Sequence, residues 1–138
     1  MFFGYGKIQA KVLIGDIMAR VLFVDDDPFT LETLAKAIEV LGHQALLASS
    51  GEEALKLVEE QSPDLIFTDM LLSDTDGATL INLLRSRERT AETPMFVLSA
   101  SPTEGAVEKS EAAGAQAYLN KPIRLQTLID IIQKFTSE

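Results

Sequence analysis

Short apolar runs alternate along the chain with amphipathic stretches of helical period, from Ala19 onward. The first run, residues 20–24, is too short and too rich in β-branched residues for a helix, so it predicts a buried strand. Apolar residues then recur at helical spacing, which predicts a helix with one buried stripe, formed by Leu31, Leu34, Ala35, Ile38 and Leu41. Asp27 and Pro28 suit the start of this helix, and Gly42 suits its end.

The same alternation continues to the end of the chain. Four further strands are predicted, at residues 44–48, 64–69, 95–98 and 117–119. Four further helices are predicted. The first runs from Ser50, which stands at capping-box spacing from Glu53, to about Gln61. The next begins at Asp76 and has Arg85, Arg87 and Arg89 near its C-terminal end, where the helix dipole favours cations. The last two cover residues 102–113 and the apolar positions Leu125, Leu128, Ile129 and Ile132. Five strands and five helices in strict alternation are typical of βαβ units around a buried parallel sheet, so we predict an α/β fold.

Composition then narrows the possible functions of this single domain of 138 residues. Twelve basic against 21 acidic residues give a net charge of −9, which repels nucleic-acid phosphates and anionic lipid, so we expect no direct nucleic-acid binding. The absence of cysteine excludes disulfides, thiolate metal sites and a cysteine nucleophile. The single histidine, His43, cannot build a multi-histidine metal site, and we expect it to be an exposed loop residue without a role.

Residues 1–18 stand outside the alternation and are interpreted as an N-terminal extension, with residues 19–138 forming the folded domain. Charged residues interrupt the apolar patches of the extension, and no apolar run approaches the ~20 residues of a membrane helix. We therefore expect a cytoplasmic protein that has neither a signal peptide nor a membrane anchor. A weakly ordered leader, an artefact of the assigned start, or a packing arm or dimer contact all remain open for the extension.

Polar residues occur where four of the predicted strands end. Asp25 and Asp26 follow the first strand, Asp69 ends the third, Ser99 follows the fourth and Lys121 follows the fifth. Ligands of open α/β sheets bind beyond the carboxyl ends of the strands, near the point where the strand order reverses. If the first and third strands are neighbours, the three acids converge and repel one another unless a cation joins them. Oxygen ligands of this kind suit Mg²⁺. Each residue alone is an ordinary cap, turn or surface residue, whereas the joint order favours a site.

These residues lie in four motifs: residues 24–28 (VDDDP); residues 63–69 (PDLIFTD) with Asp76-Gly77 downstream; residues 97–100 (VLSA); and residues 114–122 (GAQAYLNKP). Together the motifs resemble the receiver domain of bacterial response regulators, over about residues 19–136. The resemblance implies a flavodoxin-like, doubly wound sheet of five parallel strands in the order 2-1-3-4-5, with five helices.

By this resemblance, Asp69 is the phosphoacceptor, whose carboxylate attacks a phosphoryl group carried by a histidine kinase, a phosphotransfer protein or a small acyl phosphate. Asp25 and Asp26 correspond to the acid pair of the family. Asp26 and Asp69 would ligate Mg²⁺ directly and Asp25 through water, and the backbone carbonyl of Leu71 would complete the protein ligands. Mg²⁺ and Lys121 would supply the positive field that a carboxylate needs to attack an anionic phosphoryl group.

The resemblance also implies how phosphorylation would be passed on to a downstream partner. Ser99 would donate to a phosphoryl oxygen, Tyr118 would be the aromatic residue that turns inward as Ser99 moves, and the Lys121–Pro122 peptide bond would be cis. Because no further domain follows the last predicted helix, we expect the domain to signal by docking to a downstream protein target through the face from the fourth strand to the fifth helix. We expect a monomer or weak dimer that is not an enzyme on other substrates.

The sequence departs from the family in the loop after Asp69, and two alternative functions are considered. The run Met70-Leu71-Leu72-Ser73 lacks the proline that is common after the phosphoacceptor. A pseudo-receiver that binds partners without phosphorylation is one alternative, against which the intact set of polar residues argues. A metal-dependent phosphatase is the other, but Leu71 stands where an acid would help. Because Leu71 and Ser101 are expected to overhang the path of the hydrolytic water, we expect a long-lived phosphoryl form.

Overall fold

The computed structural model describes residues 18–100 and 103–136. Strands and helices alternate along this part of the chain. The strands are β1 (Arg20–Val24), β2 (Gln44–Ala48), β3 (Leu65–Asp69), β4 (Met95–Ser99) and β5 (Ala117–Asn120). The helices are α1 (Pro28–Val40), α2 (Gly51–Glu60), α3 (Gly77–Arg85), α4 (Ala106–Ala113) and α5 (Leu125–Thr136), with a short 3₁₀ helix at Glu88–Thr90.

All five strands form one parallel sheet in the order β2-β1-β3-β4-β5. In chain order this is 2-1-3-4-5, so the predicted flavodoxin-like α/β fold is confirmed. The strand order reverses between β1 and β3, and ligands of such sheets bind in the crevice beyond the carboxyl ends at this point. The topology therefore brings the residues that follow β1 and β3 together.

Alternate residues of the strands pack against two different helix layers, as the two-residue period of a strand requires. One face, represented by Leu22 and Ile66, packs with residues of α2, α3 and α4. The other face packs with residues of α1 and α5 and carries a row of aromatic rings, Phe23, Phe67 and Phe96. The ring centroids of neighbours in this row are 5.4 and 4.9 Å apart. The sheet is thus buried on both sides, which explains why its strands read as continuous apolar runs.

Side chains cap three of the helices at the positions that the sequence predicts. The carboxylate of Asp27 accepts a hydrogen bond from the backbone N–H of Phe29, and Pro28 occupies the first turn of α1. Ser50 accepts from the N–H of Glu53 at the start of α2. The Glu53 carboxylate accepts in return from the N–H of Ser49, one residue earlier than in the usual capping box. Asp76 caps α3 in the same way.

Two predicted helix bounds are wrong. Helix α4 begins at Ala106 rather than at residue 102, because Gly105 has a left-handed backbone conformation (φ +82°) that a continuous helix cannot contain. Helix α3 ends at Arg85, so Arg87 and Arg89 lie beyond it. Arg85 itself occupies the last turn, as predicted. Its guanidinium donates to backbone carbonyls of the following loop and of the end of α4, those of Thr90, Ala91, Thr93 and Gly114.

Smaller differences occur at the strand ends and at His43. β3 begins at Leu65, one residue later than predicted. Asp64 still pairs with Arg20 of β1: its backbone N–H donates to the Arg20 carbonyl and its carboxylate accepts from the Arg20 N–H, both at 2.8 Å. β4 and β5 each extend one residue further than predicted and end in a paired Ser99 and Asn120. His43 is half-buried and its Nδ1 accepts from the N–H of Ala19 at 3.0 Å, so it is a structural residue and not a free loop residue.

The predicted N-terminal extension lies outside the described residues except for Met18, which is 54% exposed. Ser101 also lies outside them, so its expected position over the site stays a prediction. Within the described ranges, none of the helices has both the length and the apolar character needed to cross a bilayer.

Candidate functional site

Four of the predicted site residues stand at the carboxyl edge of the sheet. Asp25 directly follows β1, Asp69 is the last residue of β3, Ser99 is the last residue of β4, and Lys121 directly follows β5. These strands are neighbours, so their carboxyl ends lie side by side. Asp26 follows Asp25 and belongs to the same edge.

A lysine from the far end of the chain bridges two acids of this edge. Lys121 Nζ lies 2.6 Å from Asp25 Oδ2 and 3.2 Å from Asp69 Oδ2. The side chains are 19%, 5% and 14% exposed for Lys121, Asp25 and Asp69 respectively. Ion pairs screened from water in this way interact far more strongly than surface pairs.

A third carboxylate completes an acidic cluster. Asp25, Asp26 and Asp69 each offer one carboxylate oxygen, and these oxygens lie within 4.8 Å of one another. Asp25 is buried, Asp69 is half-buried and Asp26 is exposed. Three carboxylates against one ammonium leave two negative charges at the cluster when all are ionised. Carboxylate oxygens that carry two excess negative charges, with the exposed Asp26 open to solvent, fit a divalent cation such as Mg²⁺.

Asp27, the third aspartate of the run, is not a member of this cluster. The carboxylate of Asp27 caps α1, accepting from Phe29 N–H at 3.1 Å and from Thr30 Oγ1 at 2.8 Å. Its own backbone N–H donates to Asp25 Oδ1 at 2.9 Å. The consecutive aspartates therefore have separate tasks: Asp27 starts the helix and orients Asp25, and the other two face the site.

Burial and charge act in opposite directions on the ionisable groups of the site. Burial raises the pKa of Asp69 above its usual value; the Lys121 ammonium lowers it and the Asp25 carboxylate raises it, and the net shift is upward. For Lys121, burial lowers the pKa, but the hydrogen bond to Asp25 and the charges of Asp69 and Asp25 outweigh burial and raise it. Lys121 is therefore a permanent cation at neutral pH, and Asp69 is a carboxylate that favours a positive neighbour.

Ser99, Tyr118 and Pro122 surround the same edge. Ser99 is 4% exposed, and its carbonyl accepts from the Lys121 N–H at 3.0 Å. The Lys121–Pro122 peptide bond is cis. Tyr118 packs against the core on the α2–α4 side of the sheet, and its buried hydroxyl has no hydrogen-bond partner within the described parts of the chain. The side chain that the family resemblance makes a switch is thus turned inward here.

The β3–α3 loop, residues 70–76, carries Leu71. This residue is 64% exposed, and its backbone pairs with Asp76 in an isolated antiparallel bridge. The N–H of Gly77 donates to the carbonyl of Met70 at 2.7 Å. A Cβ at Gly77 would lie 2.5 Å from the carbonyl oxygen of Asp69, so the start of α3 packs directly on the backbone of the phosphoacceptor candidate.

Sequence reasoning missed contacts that hold this loop from outside. Asp74 accepts hydrogen bonds from the start of α2, and Lys109 of α4 forms an ion pair with Asp76 at 2.9 Å. Both contacts join residues more than 20 positions apart, beyond the reach of local periodicity. The one available signal was the missing proline after Asp69, which indicates that something else must fix the loop.

The fold and the acidic edge agree with comparisons to known proteins. The family model of the response regulator receiver domain matches residues 21–133, so this chain belongs to that family. The chain is 29% identical over 118 residues to the polar-differentiation response regulator DivK of Brucella abortus, a match that covers 86% of this chain and 96% of the relative. Receiver domains are signalling modules of two-component systems.

Solved structures of similar proteins support the same assignment. A putative response regulator from Chloroflexus aurantiacus superposes with a TM-score of 0.80 at 32% identity and covers 88% of this chain and 100% of its own. The receiver domain of the sensor histidine kinase PA1611 from Pseudomonas aeruginosa superposes with a TM-score of 0.79 at 27% identity, with 88% and 100% coverage. That receiver domain holds a magnesium ion coordinated in its active-site cleft.

Proposed function

We propose that this chain is a phosphorylatable receiver of a two-component phosphorelay, with Asp69 as the phosphoacceptor. The phosphoryl donor is a histidine kinase or a phosphotransfer protein in the cytoplasm, and residues 19–138 form the module that receives it. The observation that carries the proposal is the bridge of Lys121 between the buried Asp25 and Asp69, with Asp26 beside them. A structural ion pair would need one acid, whereas this edge of the sheet gathers three.

The acidic cluster fits Mg²⁺ as the cofactor. Asp26 and Asp69 are proposed as direct ligands, with Asp25 acting through water and the backbone carbonyl of Leu71 as a further oxygen donor. Carboxylate and carbonyl oxygens are the donors that Mg²⁺ prefers, and the cluster has negative charge in excess of its lysine. When bound, Mg²⁺ supplies positive charge that stabilises the oxygens of a transferring phosphoryl group.

Asp69, Lys121 and Ser99 each have a separate role in the proposed phosphoryl transfer. An oxygen of Asp69 attacks phosphorus, a new O–P bond forms, and the bond from phosphorus to the donor's imidazole nitrogen breaks, with the electron pair passing to the imidazole. Lys121 is positioned by Asp25 at 2.6 Å, so its charge stays at the site when Asp69 becomes an acyl phosphate. Ser99, at the end of the neighbouring strand, donates its hydroxyl to a phosphoryl oxygen.

The proposed output is a change of the face from β4 to α5. Tyr118 lies in register with Val97 of β4, two residues before Ser99, so a movement of Ser99 alters the packing around the tyrosine. The buried hydroxyl of Tyr118 has no partner among residues 18–100 and 103–136, and a buried hydroxyl left unpaired costs free energy, so the inward position is sensitive to small changes in its surroundings. A downstream protein that reads this face would then distinguish the two states, in a monomer or weak dimer.

Incubation with Mg²⁺ and acetyl phosphate, followed by intact mass measurement, tests the proposal. The wild-type chain should gain one phosphoryl group, and Asp69→Ala should gain none. Asp27→Ala is the matched control, because Asp27 belongs to the same acidic run but caps α1, so this variant should still be modified. An Asp69→Ala variant that gains the same mass at the same rate would show that the assignment is wrong. A wild-type chain that stays unmodified would favour a pseudo-receiver.

A further inference from the structure

The β3–α3 loop closes on itself without the proline that is common in the family. The backbone N–H of Leu72 donates to the carbonyl of Thr75 at 3.0 Å, which closes a four-residue turn with Asp74 near its tip. Leu71 lies directly before this turn and pairs with Asp76 on its other side. The position of the Leu71 backbone therefore depends on where the tip of the turn is held.

Asp74 holds this tip against the start of another helix. Its Oδ1 accepts from the N–H of Gly51 and its Oδ2 from the N–H of Glu52, both at 2.9 Å. These are the first two N–H groups of α2, which have no partner inside the helix. The positive end of the helix dipole favours a carboxylate here. The two hydrogen bonds hold the pKa of Asp74 below its usual value, so it is ionised at neutral pH.

Close packing at Gly51 supports the same contact. A Cβ at this position would lie 2.6 Å from Thr75 Cγ2 and 3.4 Å from Asp74 Oδ1. The missing side chain therefore lets the turn approach α2 closely enough for Asp74 to reach both N–H groups. The Ser50 side chain accepts from the N–H of Glu53, and Asp74 accepts from the two N–H groups before it, which Ser50 does not reach.

We propose that Asp74 is a positioning residue for the metal side of the site: it holds the Leu71 carbonyl in place in a loop that lacks the proline common in the family. The inference rests on the proposed function, because it gives Leu71 the role of a magnesium ligand. Partners that orient a metal ligand typically change metal affinity by about 10- to 100-fold when they are removed. Since Asp74 acts on one ligand through the backbone, we expect the lower end of this range.

The test compares Mg²⁺ binding, measured by isothermal titration calorimetry, in three variants of the full chain. Asp74→Ala should weaken Mg²⁺ binding about tenfold. Asp74→Asn keeps one acceptor oxygen and should lose less. Asp64→Ala is the matched control, because Asp64 is an exposed aspartate that also accepts from a backbone N–H, that of Arg20, but at the opposite end of β3. It should leave Mg²⁺ affinity unchanged.

Phosphorylation by acetyl phosphate at increasing Mg²⁺ concentration separates positioning from a purely structural role. If Asp74 acts on the metal ligand, Asp74→Ala should need about tenfold more Mg²⁺ for half the maximal rate and should recover the wild-type rate at saturation. Equal Mg²⁺ affinity in Asp74→Ala, Asp64→Ala and wild type would overturn the inference while leaving the proposed function intact. A wild-type chain that binds no Mg²⁺ would instead overturn the proposed function itself.

Discussion

Replacement of Lys121 by methionine tests whether the buried acids need their counter-charge. The methionine side chain is apolar and of similar length, so Lys121→Met removes the ammonium with little change of volume. Asp25, with 5% of its side chain exposed, then loses an ion-pair partner at 2.6 Å, and Asp69 loses one at 3.2 Å. Both carboxylates remain in a site with little access to water.

The magnitude follows from the exposure of the three groups. Removing one partner of a buried ion pair destabilises a protein by about 3–5 kcal/mol, because the other charge stays buried and unpaired. Here the side chains of Lys121 and Asp69 remain 19% and 14% exposed, so solvent weakens their ion pair. The methionine variant also avoids the cost of burying an ammonium group. We therefore expect the low end, a loss of about 3 kcal/mol in the free energy of unfolding at pH 7 without metal.

Urea denaturation followed by circular dichroism, in the presence of a chelator, measures this loss. Lys109→Met is the matched control, because Lys109 pairs with Asp76 at 2.9 Å while 56% of its side chain is exposed. An exposed pair of this kind contributes about 1 kcal/mol or less. A loss in Lys121→Met no larger than that in Lys109→Met would refute the reasoning that the acidic cluster depends on a buried counter-charge.

Three further predictions follow from the site. Gly77→Ala should lower the melting temperature and slow phosphorylation by acetyl phosphate, because the added Cβ would lie 2.5 Å from the carbonyl oxygen of Asp69; unchanged values for both would contradict this packing. Because burial raises the pKa of Asp69 in the folded state, this carboxylate takes up a proton at a higher pH in the folded protein than in the unfolded chain. The metal-free chain should therefore gain stability as pH falls from neutral through that raised pKa, and urea titrations of Asp69→Asn should show a smaller gain. Leu71→Asn should speed phosphate release after the donor is removed, because an amide can orient the hydrolytic water that an exposed leucine cannot; an equal or slower release would count against water positioning.

The sheet and its helix caps were accessible from sequence because their signals are local. Each strand reads as an apolar run, since both faces of the sheet are covered, and the caps at Asp27, Ser50 and Asp76 lie within three residues of the groups they bind. The start of α4 was missed because the amphipathic pattern does not report that Gly105 adopts a left-handed conformation.

Contacts between distant residues were harder to predict. Arg85 lies in the last turn of its helix, as the sequence predicts, but its hydrogen bond to the carbonyl of Gly114, 29 residues away, had no signal in the periodicity. Lys121 and Asp25 are 96 residues apart, and they were brought together only by the strand order that the family resemblance implied. For Asp74 the sequence offered only the missing proline after Asp69, because the partners of Asp74 belong to the distant start of α2. Periodicity describes each element, whereas these contacts depend on how the elements pack.

Localising the phosphoryl group tests the central claim most directly. After incubation with Mg²⁺ and acetyl phosphate, borohydride reduction converts an aspartyl phosphate into homoserine, and tandem mass spectrometry of the digested chain identifies the converted position. The account predicts conversion at Asp69 and at no other acid. Conversion at Asp25 or Asp26 with an unchanged Asp69 would contradict it.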